Sequence, residues 1–121
     1  MKKFAIELEK RTKDFSINLI KTISKIGNTP ELKIIRYQVV KSGTSIGANY
    51  REANRAISKA EFKAKISICE KEASETVYWL EILKSILGNE NIKKDINKLR
   101  NEANELLAIF ISSGKSLSKD R

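Results

Sequence analysis

At 121 residues, 40% apolar and 32% charged, the chain is long enough for one domain with a real core and needs no disulfide or metal to hold it. Five glycines and one proline leave too few turns for an all-β fold of many short strands. The formal charge is +9, from 24 basic and 15 acidic residues with no histidine at all, which excludes histidine-dependent chemistry and gives an anionic partner equal standing with plain solubility charge.

The single Cys69 excludes an internal disulfide and points to a reducing compartment. The opening MKKFAIELEK meets Glu7, Glu9 and Lys10 before an apolar run can build, so it does not read as a signal peptide. No stretch approaches the roughly 18 apolar residues of a spanning helix, and the expected location is the cytoplasm.

In chain order, Phe4, Leu8, Phe15, Leu19, Ile23 and Ile26 recur at helical spacing and predict a first helix over about Lys3–Ile26, stopped by Gly27-Asn28. Thr29-Pro30-Glu31 is a helix start: a capping threonine, a proline suited to the first turn and an acid at the positive end. The second helix, about Pro30–Asn54, keeps a 3-4 spacing through Leu32, Ile35, Val39, Ser42, Ile46, Asn49 and Ala53, which favours shallow antiparallel packing. Gly43 and Gly47 stand one turn apart beside that stripe. A mid-helix glycine costs about 1 kcal/mol against alanine, so close approach by a neighbouring helix is expected there.

A short turn at Arg55–Ile57 leads into Ser58-Lys59-Ala60-Glu61, a capping box. The third helix runs to about Leu87 on Phe62, Ile66, Cys69, Ala73, Thr76, Leu80, Leu83 and Leu87, and Gly88-Asn89 ends it. The fourth, about Asn91–Ser113, uses Ile92, Ile96, Leu99, Ala103, Leu106 and Phe110. The expected fold is an all-α, antiparallel up-down-up-down four-helix bundle over residues 1–114, with a frayed polar tail at 115–121.

Three constellations stand apart from the core pattern. Ser42, Ser45, Asn49 and Glu52 share one edge of the second helix, and Glu72 and Glu75 a similar edge of the third. The favoured reading is an interhelical polar network that fixes register. The competing one is a carboxylate site, catalytic or metal-binding. Di-metal bundles pair their glutamates with histidines, which this chain lacks, and a serine or cysteine nucleophile would have no usual base. No catalytic residue, metal or cofactor is therefore assigned, and a carboxylate-dependent enzyme is the weakest reading.

The second constellation is an additional apolar stripe on the third helix, Ile68, Trp79, Ile82 and Ile86, lying roughly 120° around from the first. It reads as a subunit interface anchored by Trp79, or as the wide apolar arc that any bundle helix needs. The third is a basic row on the second helix. Lys33, Tyr37, Lys41, Arg51 and Arg55 fall within about 80° on the side away from the core, and Lys59 and Lys63 extend it across the turn. Basic residues around a tyrosine suit a phosphate backbone and a stacked base; the alternative is a solvated face. No sequence-specific DNA- or RNA-reading motif is present.

The pattern Gln38-x-x-Lys41-Ser42-x-x-Ser45-Ile46-x-x-Asn49-x-x-Glu52-Ala53, then Ser58-x-x-Glu61-Phe62, then Glu72-x-x-Glu75-x-x-x-Trp79-Leu80, resembles the bacterial four-helix-bundle proteins encoded by intervening sequences of 23S ribosomal RNA genes. It spans about residues 4–113. Ala53 stands where many members have glycine, and Lys41 where arginine is frequent. The resemblance implies an antiparallel bundle that assembles as a ring-like homopentamer without established enzymatic activity. A more distant similarity to accessory proteins of diversity-generating retroelements implies a basic surface that binds nucleic acid. The expected partners are therefore further copies of the chain and RNA or DNA backbone, with no membrane or metal. The alternative is a protein-interaction scaffold with no nucleic-acid role.

Overall fold

The computed structural model describes residues 1–119. Four helices follow one another: α1 (Lys3–Ile23), α2 (Pro30–Asn54), α3 (Lys59–Ile86) and α4 (Glu90–Lys119). Each packs against the next in sequence, and α4 returns to α1, which makes the expected all-α four-helix bundle. The α1–α4 seam is the thinnest. An open groove of about 580 Å³ runs along it between Arg11, Asp14 and Asn18 on one side and Asp95, Lys98 and Glu102 on the other.

The helix starts follow from their capping residues. The Thr29 hydroxyl accepts from the Leu32 amide at 3.2 Å, with Pro30 in the first turn. Ser58 accepts from the Glu61 amide at 3.1 Å while the Glu61 carboxylate reaches back to the Ile57 amide at 3.1 Å. Asn89 caps α4 through the Ile92 amide at 3.0 Å. Each satisfies a donor that the first helical turn would otherwise leave unpaired.

Two boundaries differ clearly from the sequence pattern. Helix α1 ends at Ile23 rather than Ile26, because Lys25 and Ile26 turn tightly onto the carbonyls of Thr22 and Ile23. That turn still delivers Ile26 into the core, and Gly27, at φ 106°, reverses the chain. The Arg36 guanidinium holds the turn by donating to the Gly27 carbonyl and to the Asn28 side chain. Helix α4 runs through Gly114 to Lys119. That glycine keeps a negative φ, and one helical glycine is too small a penalty to end thirty residues of helix. Asp120 and Arg121 of the expected tail lie outside the described residues.

The core follows the four stripes closely. Phe15, Leu19, Val39, Ile46, Ile66, Leu80, Leu83, Ile96, Leu106 and Phe110 are buried, and the Tyr50 and Phe110 rings meet at 5.8 Å between centroids. Two assignments change. Phe4 is 59% exposed, at an open groove that it lines with Tyr50, Phe62 and Ser113 near the start of α1. Tyr50, not Asn49, fills the core position on α2. The inward face of α2 is turned toward its glycines because α1 approaches there. A Cβ on Gly43 would run into the Leu19 side chain, and one on Gly47 would sit 3.1 Å from the Thr12 hydroxyl.

Candidate functional site

The basic row lies on the outward face of α2. Lys33, Tyr37, Lys41, Arg51 and Arg55 are all exposed. Lys59 is exposed and Lys63 half-buried in the first turns of α3. Among the described residues none of Lys33, Lys41, Arg55, Lys59 or Lys63 is in an ion pair. Arg51 is partly committed: its guanidinium stands 4.0 Å from the Glu9 carboxylate of α1, which also accepts from Asn54 at 2.8 Å.

The row is not one strip. Between Lys41 and Arg51 the same sector of the helix carries only Thr44 and Ala48, a gap of about 15 Å at 1.5 Å per residue. The first cluster holds Lys33, Tyr37 and Lys41, with the Lys41 ammonium 5.8 Å from the centre of the Tyr37 ring. The second holds the two arginines and runs on into α3. Ile34, 63% exposed, borders the first cluster, about 20° beyond Lys41 around the helix. Sequence reading passed it over because an isoleucine at the start of a helix suggests core; its place three residues before Tyr37 was the available signal.

The polar set does not close into one network between α2 and α3, which corrects the expectation for Ser42, Ser45, Asn49, Glu52, Glu72 and Glu75. Ser45 donates to the Lys41 carbonyl at 2.6 Å and Asn49 to the Ser45 carbonyl at 2.8 Å, both within α2. Glu75 accepts from the Trp79 indole of its own helix at 3.4 Å. Short polar side chains inside a helix find the carbonyl one turn back before they find a neighbouring helix. Two contacts do cross. Thr76 and Ser42 hydroxyls meet at 2.9 Å in the buried core, and Lys65 stands 3.6 Å from Glu52. Thr76 and Lys65 were not among the residues singled out, although Thr76 lies on the apolar stripe where a polar residue needs a partner.

Glu72 and Glu75 are half-buried on α3. Burial and then the charge of Glu75 raise the Glu72 carboxyl above its usual range, against the opposing pull of Lys71 and Lys41. The same burial pushes the Cys69 thiol up to about 12. Around the two glutamates lies the second apolar stripe. Ile68 and Ile86 are exposed, Trp79 and Ile82 half-buried, and Tyr78, 56% exposed, sets its ring edge-on to Trp79 at 5.1 Å. One face of α3 thus combines a large aromatic pair, aliphatic side chains and two half-buried carboxylates.

The sequence model of the 23S rRNA-intervening sequence protein family matches residues 5–112. The chain belongs to that family. A crystal structure of an S23 ribosomal protein family member of unknown function from Bacteroides thetaiotaomicron is similar to this intervening-sequence protein, with 32% sequence identity and a TM-score of 0.77 over 88% of this chain and 97% of that one. No curated protein matches the chain. Among the described residues, no helix of this family member is long and apolar enough to cross a membrane, and no group of three or more cysteine, aspartate and glutamate side chains could hold a metal ion.

Proposed function

We propose that this intervening-sequence family protein is a non-enzymatic homo-oligomer, a pentamer, that binds the backbone of RNA or DNA through the outward face of α2. The observation that carries the reading is the row itself: exposed cations on one helix face, most of them without a carboxylate partner among the described residues. Such a face releases counterions when it meets a polyanion, and that release is a driving force independent of sequence. The apolar face of α3, with Trp79 at its centre, supports assembly, because an exposed apolar patch rimmed by polar groups marks an interaction surface. Assembly would repeat the basic row, so weak single contacts could act together.

The test is an anisotropy titration of a structured RNA and a matched DNA at two salt concentrations, with the mass of the free protein read by light scattering. Binding that weakens steeply with salt, by a protein heavier than one chain, is the expected result. Absence of binding at low salt would reduce the row to a solvated face. A protein-interaction scaffold is the second reading, favoured by the same α3 face. An oligomer that ignores nucleic acid would move that reading ahead.

A further inference from the structure

The two basic clusters on α2 differ in one respect: only the first contains an aromatic ring. Tyr37 is 63% exposed and lies one turn from Lys33 on one side and one turn from Lys41 on the other. Ile34, equally exposed, adds an apolar surface beside the ring. The Lys41 ammonium stands 5.8 Å from the ring centre, within cation–π range, and among the described residues it has no carboxylate in ion-pair contact.

A continuous duplex offers this cluster only half of what it could use. Its phosphates would meet the lysines, but its bases are stacked inside, so the ring and Ile34 would remain in water. A strand with an unpaired base offers both parts. The base supplies a flat face for the ring, and the phosphates on either side face cations spaced about 6 Å from it along the helix, four residues at 1.5 Å each. Stacking of this kind is tolerant of sequence, because every base has a π face. That tolerance fits a chain without a sequence-reading motif. A run of aspartate and glutamate would match the charge but offers no aromatic face to the ring.

Resting on the nucleic-acid reading above, we infer that Lys33, Tyr37 and Lys41 form a subsite for one unpaired nucleotide. The preferred ligand is then single-stranded RNA or DNA, or a looped-out base, rather than an uninterrupted duplex. The second cluster, around Arg51 and Arg55, has no aromatic residue and serves as a phosphate contact for either.

The experiment compares dye-labelled, unstructured pyrimidine strands of about 12 nucleotides, within the range one such site covers, with the duplex of the same length. RNA and DNA are each titrated at low and moderate salt on the full chain. Tyr37→Ala and Tyr37→Trp are measured beside the parent, with helix content checked by circular dichroism. A strand of either sugar should bind more tightly than the duplex. Tyr37→Ala should lose about ten-fold or more on the strand and nothing on the duplex, while Tyr37→Trp keeps the affinity. The salt slope of Tyr37→Ala should equal that of the parent, whereas Lys33→Ala or Lys41→Ala should each flatten it by about 0.7 on the strand. Salt-dependent duplex binding that equals the strand, or strand binding indifferent to Tyr37→Ala, overturns the subsite and leaves the wider reading standing. Polyglutamate that competes with the strand and shows the same Tyr37 dependence also overturns it. No binding of any nucleic acid at low salt overturns both.

Discussion

Gly43 is the residue whose smallness the fold uses most directly. The Leu19 side chain occupies the space a Cβ would take, and Leu19 is fully buried in the close-packed core. Gly43→Val is therefore expected to overpack the α1–α2 contact and lower stability by about 2 kcal/mol in a urea titration. Gly114 is the counter-example. It is also helical, but nothing lies within 4 Å of an added Cβ. Gly114→Ala should leave stability unchanged or raise it by up to about 1 kcal/mol, and a loss there would contradict the open surroundings. Cys69 makes a third prediction at this scale. It is fully buried, with its thiol raised to about 12 and its Sγ donating to the Ile46 carbonyl at 3.6 Å. At pH 8 a thiol reagent should label it at the rate at which the bundle opens and stoichiometrically in denaturant. Immediate labelling of the folded protein would show that α2 and α3 part more readily than their packing implies.

At the scale of the helices, most boundaries were legible because each carries its own chemistry. Thr29-Pro30 and Ser58 to Glu61 cap as their residue types require, whereas Asn89, which reads as part of the α3 stop, also caps α4. The α1 end was less legible, since Ile26 keeps the helical period while lying on a turn; spacing alone does not separate a helix from a turn that returns to the same core. Two carboxylates give the helix seams opposite responses to pH. The Arg11 guanidinium grips Glu102 at 2.7 and 2.6 Å across the α1–α4 seam and holds its carboxyl below the usual range. A lowered folded pKa means that this contribution is present above the unfolded value of about 4.3 and is lost as pH falls through the folded one. Glu102→Gln should cost about 1 kcal/mol or less at neutral pH, because the pair is partly solvated, and should flatten the acid limb of a stability–pH curve. Glu72 has the reverse sign. Burial and Glu75 raise it, so its contribution is present below the unfolded value and lost as pH rises through the folded one. Glu72→Gln should therefore stabilise the free bundle at neutral pH and lose that advantage in acid, and equal effects at both ends of the range would count against burial as the cause.

For the whole molecule, class and topology could be read from four apolar stripes and two caps, whereas the candidate site could be read only in part. The outward placement of Lys33, Tyr37, Lys41, Arg51 and Arg55 follows from helical spacing, but their division into two clusters emerges only once uncharged Thr44 and Ala48 are set in the same sector. The polar set on α2 and α3 was misread because a sequence pattern does not tell whether a serine bonds its own helix or the next. Trp79→Ala tests the proposed assembly. Its loss should lower the mass measured by light scattering with helix content intact, and an unchanged mass would remove Trp79 as the anchor. The seam between α1 and α4 bears on how the molecule is made. Every other pairing joins helices adjacent in the chain, so as the polypeptide leaves the ribosome each new helix meets a partner just synthesised. Arg11 waits for a glutamate 91 residues further on. A nascent chain from which α4 has not yet emerged could hold α2 against α3 with α1 laid along the Gly43 and Gly47 notch, leaving α4 to close the bundle.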